Sequence, residues 1–188
     1  MSEKNLIAVM TGQVCRAAAA CTSKNDVRYY LNGIHIDGAR GKVVGTNGHI
    51  MYVGPAKEIG DAGVDTKIIF TLPTVPLNVE TVSVYRDEAG FESTLVRLMF
   101  VTGTDKVTYH VAQLIDGRYP DYQTVSGLSK PVPYSGHFVV GYNAEYLSLL
   151  PKIFGKQVVT LTVPSPHGAT HVTCSKAEGL VVLMPCKV

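Results

Sequence analysis

The stretch "GKVVGTNGHIMYVG", residues 41–54, carries the strongest fold signal in the chain. Its Asn47-Gly48 dipeptide separates two short apolar runs, and Asn-Gly between such runs favours the tight turn of a β-hairpin. The preceding stretch "RYYLNGIHID", residues 28–37, is predicted to be a further strand that pairs with this hairpin. These residues therefore predict antiparallel sheet.

Only two segments have the periodicity of helices. In "TGQVCRAAAACTSK", residues 11–24, small apolar residues recur on one face while Arg16 and Lys24 lie on the other. The second, "YNAEYLSLLPKIFGK", has Asn143 as a candidate N-cap and Gly155 placed to end it. Pro151 lies inside this stretch and is expected to kink or shorten the helix.

Strands account for most of the remaining chain. They are predicted at "TKIIFTL", "VETVSVY", "TLVRLMFV", "DKVTYHVAQLID", "GHFVVG", "QVVTLTV", "THVTC" and "GLVVLMP". Loops are expected at 54–66 and 125–136, which are rich in Gly, Pro, Asp and Ser. The order predicts an α+β fold of antiparallel sheets with two helices on one face, built from repeated βαβββ units. Two regions, 1–125 and 126–188, are expected to pack together as one body.

Composition narrows the class of protein. The 188 residues are 46% hydrophobic and 17% charged, with a net charge of +2, which suits a globular protein with a sizeable core. No apolar run approaches the roughly 20 residues that cross a bilayer, and the N-terminus is too polar for a secretory signal. Four scattered cysteines without a Cys-x-x-Cys pair indicate reduced thiols. We therefore expect a cytoplasmic protein without membrane association.

Motifs of catalysis are missing from the sequence. It contains no phosphate-binding loop, no Gly-x-Ser-x-Gly and no His-Glu-x-x-His. His167, His171 and Cys174 are residue types that bind zinc, but a strand from Thr170 would point the last two to opposite faces. His49 has no acid or nucleophile that the sequence places beside it. We expect no catalytic residues, no metal and no cofactor; an enzyme would need a polar constellation that the sequence does not reveal.

One stretch matches neither core nor ordinary loop. "LIDGRYPDYQTV", residues 114–125, places two acids, an arginine and two tyrosines around a proline. Together with "NDVRYYLNGIHID", the hairpin Thr46-Asn47-Gly48-His49, "GYNAEYLSLLPKI" and the terminal "LVVLMPCKV", it resembles the bacterial DNA polymerase sliding clamp, the β processivity subunit. The resemblance identifies 114–125 as a connector between two clamp domains. It implies a DNA-clamp-like fold in a shortened form, which lacks the family's first domain and half of its last.

The resemblance also implies a binding site. In the family, polymerases and clamp loaders dock a short linear motif into an apolar pocket at the three matching places. The corresponding residues here are Arg28, Leu31, Thr46, Gly48, His49, Met51, Pro120, Val125, Val182, Met184, Pro185 and Cys186. Ile50 and Thr124 stand where the family has basic residues, which predicts a changed specificity. The alternative is that the apolar members of this set only fill core between strands.

DNA contact is the second implication. Family clamps encircle the duplex with helices whose cations face its phosphates. The corresponding residues are Arg16, Lys24, Arg28, Tyr29 and Lys152. With two helices per chain, a closed homo-oligomeric ring of family size would need about six chains. The alternative is a non-encircling adaptor or decoy that keeps the pocket and captures replication proteins without sliding on DNA.

Overall fold

The computed structural model describes residues 3–87, 93–104, 106–126 and 139–187. The helices are α1 (Gly12–Cys21), α2 (Tyr122–Ser126), α3 (Ala144–Leu147) and α4 (Leu150–Phe154). The strands are β1 (Leu6–Thr11), β2 (Ile34–Asp37), β3 (Lys42–Thr46), β4 (Ile50–Pro55), β5 (Glu58–Ile59), β6 (Lys67–Phe70), β7 (Thr81–Arg86), β8 (Leu95–Thr102), β9 (Lys106–Gln113), β10 (Thr160–Thr162), β11 (Thr170–Thr173) and β12 (Leu180–Leu183).

The strands form two antiparallel sheets, as the sequence predicts. Sheet A has the order β5-β1-β7-β8-β9, and sheet B has the order β10-β11-β12-β4-β3-β2-β6. The chain contains two successive units, β1-β2-β3-β4 and β6-β7-β8-β9. The first strand of each unit lies in the sheet of the other, because β1 pairs with β7 while β6 pairs with β2. Both sheets therefore contain the same sequence of strands, β1-β7-β8-β9 and β6-β2-β3-β4. The sequence predicts the repeat between the first and last thirds of the chain, whereas this pseudo-symmetry relates the first third to the strand-only middle that holds β6 to β9.

The hairpin between β3 and β4 forms, but its turn lies one residue later than predicted. The backbone N–H of Asn47 donates to the carbonyl of Ile50 (3.3 Å), so Gly48 and His49 are the two central residues. Gly48 has φ +92°, as type II′ turns require at their first central position. The Asn47 side chain caps the turn, since its Oδ1 accepts from the N–H of His49 (2.9 Å) and of Ile50 (3.0 Å).

Helix α1 packs directly on β3 and β4. It begins after Thr11, whose Oγ1 accepts from the N–H of Val14 (3.2 Å) as an N-cap. Its buried face carries mainly alanine and cysteine, so the helix backbone can come very close to the sheet. A Cβ atom on Gly45 would lie 1.9 Å from the carbonyl oxygen of Ala18. Small residues on both sides therefore set the distance between helix and sheet.

The unit β6-β7-β8-β9 has no helix after its first strand, whereas the unit β1-β2-β3-β4 has α1 at that place. Residues 71–80, between β6 and β7, contain two prolines and no regular element. Val75 and Val79 of this segment are buried in the main core. Arg16 of α1 also holds this segment in place, since its Nη1 donates to the carbonyls of Pro76 (2.8 Å) and Val79 (3.2 Å). An extended, proline-containing segment thus covers the place of a helix.

The C-terminal helix is broken into α3 and α4, as Pro151 predicts. Asn143 caps α3, because its Oδ1 accepts from the N–H of Glu145 (2.9 Å). Pro151 stands in the first turn of α4, where its missing N–H costs nothing. Gln13 of α1 donates from Nε2 to the carbonyl of Ile153 (2.9 Å). This bond joins α1 and α4, so the two predicted helices lie side by side.

Sheet B is apolar on both faces. Alternate residues of β3, β4 and β12 point into the main core, which lies between the two sheets and α1. The intervening residues Val44, Met51 and Val182 form a second buried cluster with Tyr122 on the opposite face. Strand β12 joins β4 along this sheet with Val182 opposite Met51. The region after 138 therefore continues the sheet that the first hairpin begins.

Some predicted segments differ from the structure. Residues 28–33 are not strand; a short helical turn occupies Tyr29–Leu31. Local bonds compete with a ladder there, because the Asn32 side chain bonds both the N–H (3.0 Å) and the carbonyl (3.0 Å) of Asp26. The predicted loop 54–66 contains β5, which pairs with β1.

Two further predictions and the search for membrane spans concern only part of the chain. Most of the predicted loop 125–136 and the first half of the predicted strand "GHFVVG", residues 136–138, lie outside the described residues, and in residues 139–141 only Gly141 forms a bridge, to Cys186. Within the described ranges, no helix is both long and apolar enough to cross a bilayer.

A candidate binding cavity at the connector

The two tyrosines of the connector, residues 114–125, lie on the outer face of sheet B. The ring of Tyr119 stacks on His35 with centroids 4.5 Å apart. The hydroxyl of Tyr122 donates to Oδ2 of Asp37 (3.0 Å), and that of Tyr119 donates to the carbonyl of Val44 at the longer distance of 3.4 Å. These contacts give the tyrosines of the connector a structural role, because they attach it to the sheet.

Asp37 is a buried carboxylate at the end of β2, with 2% of its surface exposed. Its Oδ2 accepts from Tyr122 and from Nη1 of Arg40 (3.1 Å). Its Oδ1 has no hydrogen-bond partner among the described residues. Burial is the main cause that raises the pKa of Tyr122, and the bond to Asp37 raises it further. The hydroxyl therefore keeps the proton that it donates. A buried charge with so few partners depends strongly on each of them.

His35 lies beneath the connector and is also buried. Its Nδ1 lies 2.9 Å from the carbonyl oxygen of Ile68, which can only accept, so Nδ1 carries the proton. Burial lowers the pKa of His35, an effect that the bond to Ile68 and the charge of Asp37 partly offset. The imidazole is therefore a neutral stacking partner for the connector at neutral pH.

Beside the connector, sheet B with its C-terminal strand β12 borders a cavity of about 300 Å³. Three segments that are far apart in the sequence form it. The first supplies Arg28, Tyr30, Leu31, Thr46, Gly48, His49, Ile50 and Met51; the connector supplies Pro120, Asp121, Tyr122 and Val125; the tail supplies Val182 and Met184. The structure thus brings together most of the residues that the sequence predicts for the pocket, and their role in binding stays a prediction.

The cavity has a buried interior and an exposed mouth. Leu31, Met51 and Val182 are almost completely buried. Val125 and Met184 are 40% and 39% exposed, so apolar surface remains open to solvent. An apolar interior with a partly exposed apolar entrance is typical of sites that receive an apolar side chain from a ligand.

Charged and polar residues form one rim of the cavity. Arg28 makes two bonds to the Asp26 carboxylate, from Nε (3.1 Å) and Nη2 (2.8 Å). The hydrogen bonds from Arg28 lower the pKa of Asp26 to about 2, so the pair persists at physiological pH. His49 stacks on Tyr146 with centroids 5.8 Å apart. The rim is therefore fixed by contacts within the chain.

The lining of the cavity differs from the predicted set of pocket residues at six positions. Pro185 and Cys186 do not line the cavity, because the N–H of Cys186 donates to the carbonyl of Gly141 (2.8 Å) and directs the chain elsewhere. Sequence reasoning missed three lining residues, Tyr30, Asp121 and Tyr122; Ile50, which it named only as a departure from a basic residue, lines the cavity as well. The tyrosine-rich composition of the connector was the available signal for Tyr122. Ile50 also belongs to the main core.

A wider groove of about 860 Å³ runs between α1, residues 72–75 and the α3–α4 region. The predicted DNA-binding residues Arg16, Lys24, Arg28 and Lys152 line it, whereas Tyr29 does not. Arg16 and Arg28 are engaged with backbone carbonyls and with Asp26. Lys24 and Lys152 are exposed. The groove is therefore basic mainly through these two lysines, offset in part by the exposed Glu145 that also lines it, and contact with DNA stays a prediction.

Comparison with known proteins gives a likeness in structure alone. No protein-family model matches the chain, and no curated protein sequence matches it. The Helicobacter pylori beta clamp bound to a DNA ligase peptide is 18% identical with a TM-score of 0.70, over 100% of this chain and 67% of that chain. The DNA polymerase III subunit beta of Pseudomonas aeruginosa is 16% identical with a TM-score of 0.65, over 100% and 68%.

The polymerase III beta of Caulobacter crescentus is 18% identical with a TM-score of 0.64, over 100% of this chain and 68% of that chain. The chain therefore spans about two thirds of the length of each of these proteins. At such identities the likeness concerns the fold.

Proposed function

We propose that this chain, which has the fold of the bacterial DNA sliding clamps, is a clamp-like DNA replication protein that binds partner proteins through a short linear motif. The partners would be polymerase or clamp-loader subunits, or other proteins that carry such a motif. The protein acts by holding partners and has no catalytic role. The single observation that carries the proposal is the apolar cavity at the meeting point of the hairpin, the connector and the C-terminal strand.

The chemistry of the cavity suits a peptide with large apolar anchors. Its interior is built from Leu31, Met51 and Val182, and flexible Met184 lies at the entrance. Methionine adapts its shape to different partners. The rim offers the backbone of a bound peptide polar groups near Gly48 and His49. The clamp of Helicobacter pylori has been solved with a DNA ligase peptide, and that peptide is a suitable first probe.

Met184→Ala is expected to weaken peptide binding at least about tenfold, because burying a methionine side chain against a ligand contributes roughly 1.5–3 kcal/mol. Met184 is 39% exposed, so the protein should stay folded. The measurement is fluorescence anisotropy of the labelled ligase peptide, with Met184→Ala compared with Leu77→Ala. Leu77 is 88% exposed and does not line the cavity. Equal affinities for both variants would reject the cavity as the peptide site.

Association with duplex DNA separates a clamp from the adaptor or decoy alternative. The basic groove between α1 and α4 is the surface that supports it. We expect Lys24→Ala with Lys152→Ala to lower affinity for double-stranded DNA, and to reduce the slope of log affinity against log salt by about 2, because each phosphate contact contributes about 0.9.

The matched control removes two exposed lysines elsewhere, Lys57 and Lys176. Anisotropy of a labelled duplex over a salt series measures both variants. If the two variants lose the same affinity, the groove is not the DNA surface. If the unmodified protein binds the ligase peptide but not DNA, the adaptor or decoy replaces the clamp.

A further inference from the structure

Within the described ranges, strand β9 is the outermost strand of sheet A with an open side, and it carries apolar residues on its surface. Val107, Tyr109 and Val111 are 42%, 65% and 62% exposed. The strand pairs with β8 over eight residues without a register shift. Its residues 107–113 contain no lysine, arginine, acid or proline. Natural proteins protect long, flat edge strands with such residues or with bulges, or they cover the edge.

The backbone groups of the same three residues point to the open side. The N–H of Leu114 donates to the carbonyl of Thr94 (2.7 Å), which sets the alternation of the ladder: even-numbered residues of β9 bond to β8. Consistent with this alternation, the carbonyl of Gln113 accepts from Thr71 (3.0 Å) on the opposite side. Val107, Tyr109 and Val111 therefore direct their N–H and C=O groups away from β8, with no partner in the described parts of the chain.

The edge of sheet B that corresponds to β9 is covered by another strand of the same chain. In the pseudo-symmetry of the two sheets, β4 of sheet B corresponds to β9 of sheet A. The far side of β4 pairs antiparallel with β12, the last strand of the C-terminal unit. The unit that ends with β9 has no such partner strand among the described residues. An antiparallel strand that ends another unit is thus the kind of partner that this edge fits.

We propose that β9 pairs with β9 of a second copy of this chain about a two-fold axis at Tyr109. In that register Tyr109 lies opposite its own copy, and Val107 lies opposite Val111 of the other chain. All three outward-pointing residues then form hydrogen-bonded pairs, giving about six backbone hydrogen bonds. The exposed side chains become cross-strand neighbours on one face, as aromatic and β-branched pairs prefer.

The strand is self-complementary in this register. Residues 107–111 are Val, Thr, Tyr, His and Val, so this register brings no two acids, lysines or arginines opposite each other. On the other face, His110 packs on Phe100 with centroids 4.4 Å apart, so that face is already occupied within the chain. An isologous contact of this kind closes at two chains. It goes beyond the proposed function, since none of the cavity residues lies on β9.

Light scattering and sedimentation of the full chain over a wide concentration range test the proposal. We expect a dimer that Tyr109→Lys weakens at least about tenfold, because the exchange places two like charges opposite each other. The control Leu77→Lys adds the same charge at an exposed site and should leave the dimer intact. Thermal unfolding of Tyr109→Lys at low concentration should match that of the unmodified monomer. A monomer at every concentration, or a dimer insensitive to Tyr109→Lys, overturns the proposal.

Disulfide trapping tests the register. In a Cys174→Ser, Cys186→Ser background, Tyr109→Cys should form a covalent dimer, because hydrogen-bonded pairs have Cα atoms about 5.5 Å apart, within disulfide range. Val107→Cys alone should not, because its own copy would lie about 14 Å away along the strand. A mixture of Val107→Cys and Val111→Cys chains should cross-link. Cross-linking of Val107→Cys with itself, or none by Tyr109→Cys, overturns the two-fold pairing.

Discussion

Gly45→Ala is expected to lower the free energy of unfolding by about 3 kcal/mol, the upper part of the range for overpacking a core. A Cβ at this position would lie 1.9 Å from the carbonyl oxygen of Ala18 and 2.6 Å from its carbonyl carbon. These atoms belong to the backbone of α1, so they cannot move away as a flexible side chain would. The helix must shift away from β3 and β4, which loosens the alanine-rich contact along its buried face.

Urea unfolding of the variant measures this loss. Gly103→Ala is the matched control, because Gly103 has φ +61° and nothing within 4 Å of its ideal Cβ. There the exchange costs only the conformational strain of a left-handed residue, about 1–2 kcal/mol. If Gly45→Ala costs no more than Gly103→Ala, α1 does not lie against β3 as closely as the structure places it.

Tyr122→Phe is expected to lower the free energy of unfolding by about 2 kcal/mol, since hydrogen bonds to charged groups contribute roughly 1.5–3 kcal/mol. The exchange leaves the buried Asp37 carboxylate with Arg40 as its remaining hydrogen-bond donor among the described residues. It also removes the bond that attaches the end of the connector to sheet B. Because Pro120 and Val125 form a wall of the cavity, affinity for the ligase peptide should fall as well.

Tyr119→Phe provides the comparison for this prediction. It is the other connector tyrosine, but its hydroxyl donates to a neutral carbonyl at 3.4 Å, so its removal should cost less than that of Tyr122. Asp37→Asn should reduce the cost of Tyr122→Phe, because a neutral amide needs the hydroxyl less than a carboxylate does. Equal costs for both tyrosines, or an unchanged cost in the Asp37→Asn background, would contradict the role of this buried pair.

Local patterns account for the parts of the molecule that the sequence predicts well. The Asn-Gly signal predicts the β3–β4 hairpin, and the helical spacing from Val14 to Cys21 predicts α1. Pro151 predicts the break between α3 and α4. Each of these features depends on residues within a few positions of one another. The turn itself was misplaced by one residue, because the Asn47 side chain bonds to the backbone ahead of it.

Long-range contacts account for what the sequence did not predict. Arg16 belongs to the predicted cationic face of α1, yet it binds carbonyls 60 and 63 residues away. Asp37 and Tyr122 are 85 residues apart and meet on the outer face of sheet B. A residue-type pattern contains no information about such distances. Ile50 belongs to both the core and the cavity wall, a double role that its residue type does not indicate.

The sequence by itself determined the class of fold, because turns, caps and alternation are local properties of the chain, and its resemblance to the sliding-clamp family pointed to the three segments from which the cavity is built. Only the tertiary structure decided that β1 and β6 exchange sheets, that β12 extends the sheet of the first hairpin, and that β9 has no second neighbouring strand in the described parts of the chain. Strand neighbours are chosen by how apolar faces pack between layers, and that choice is made only when the whole chain is folded.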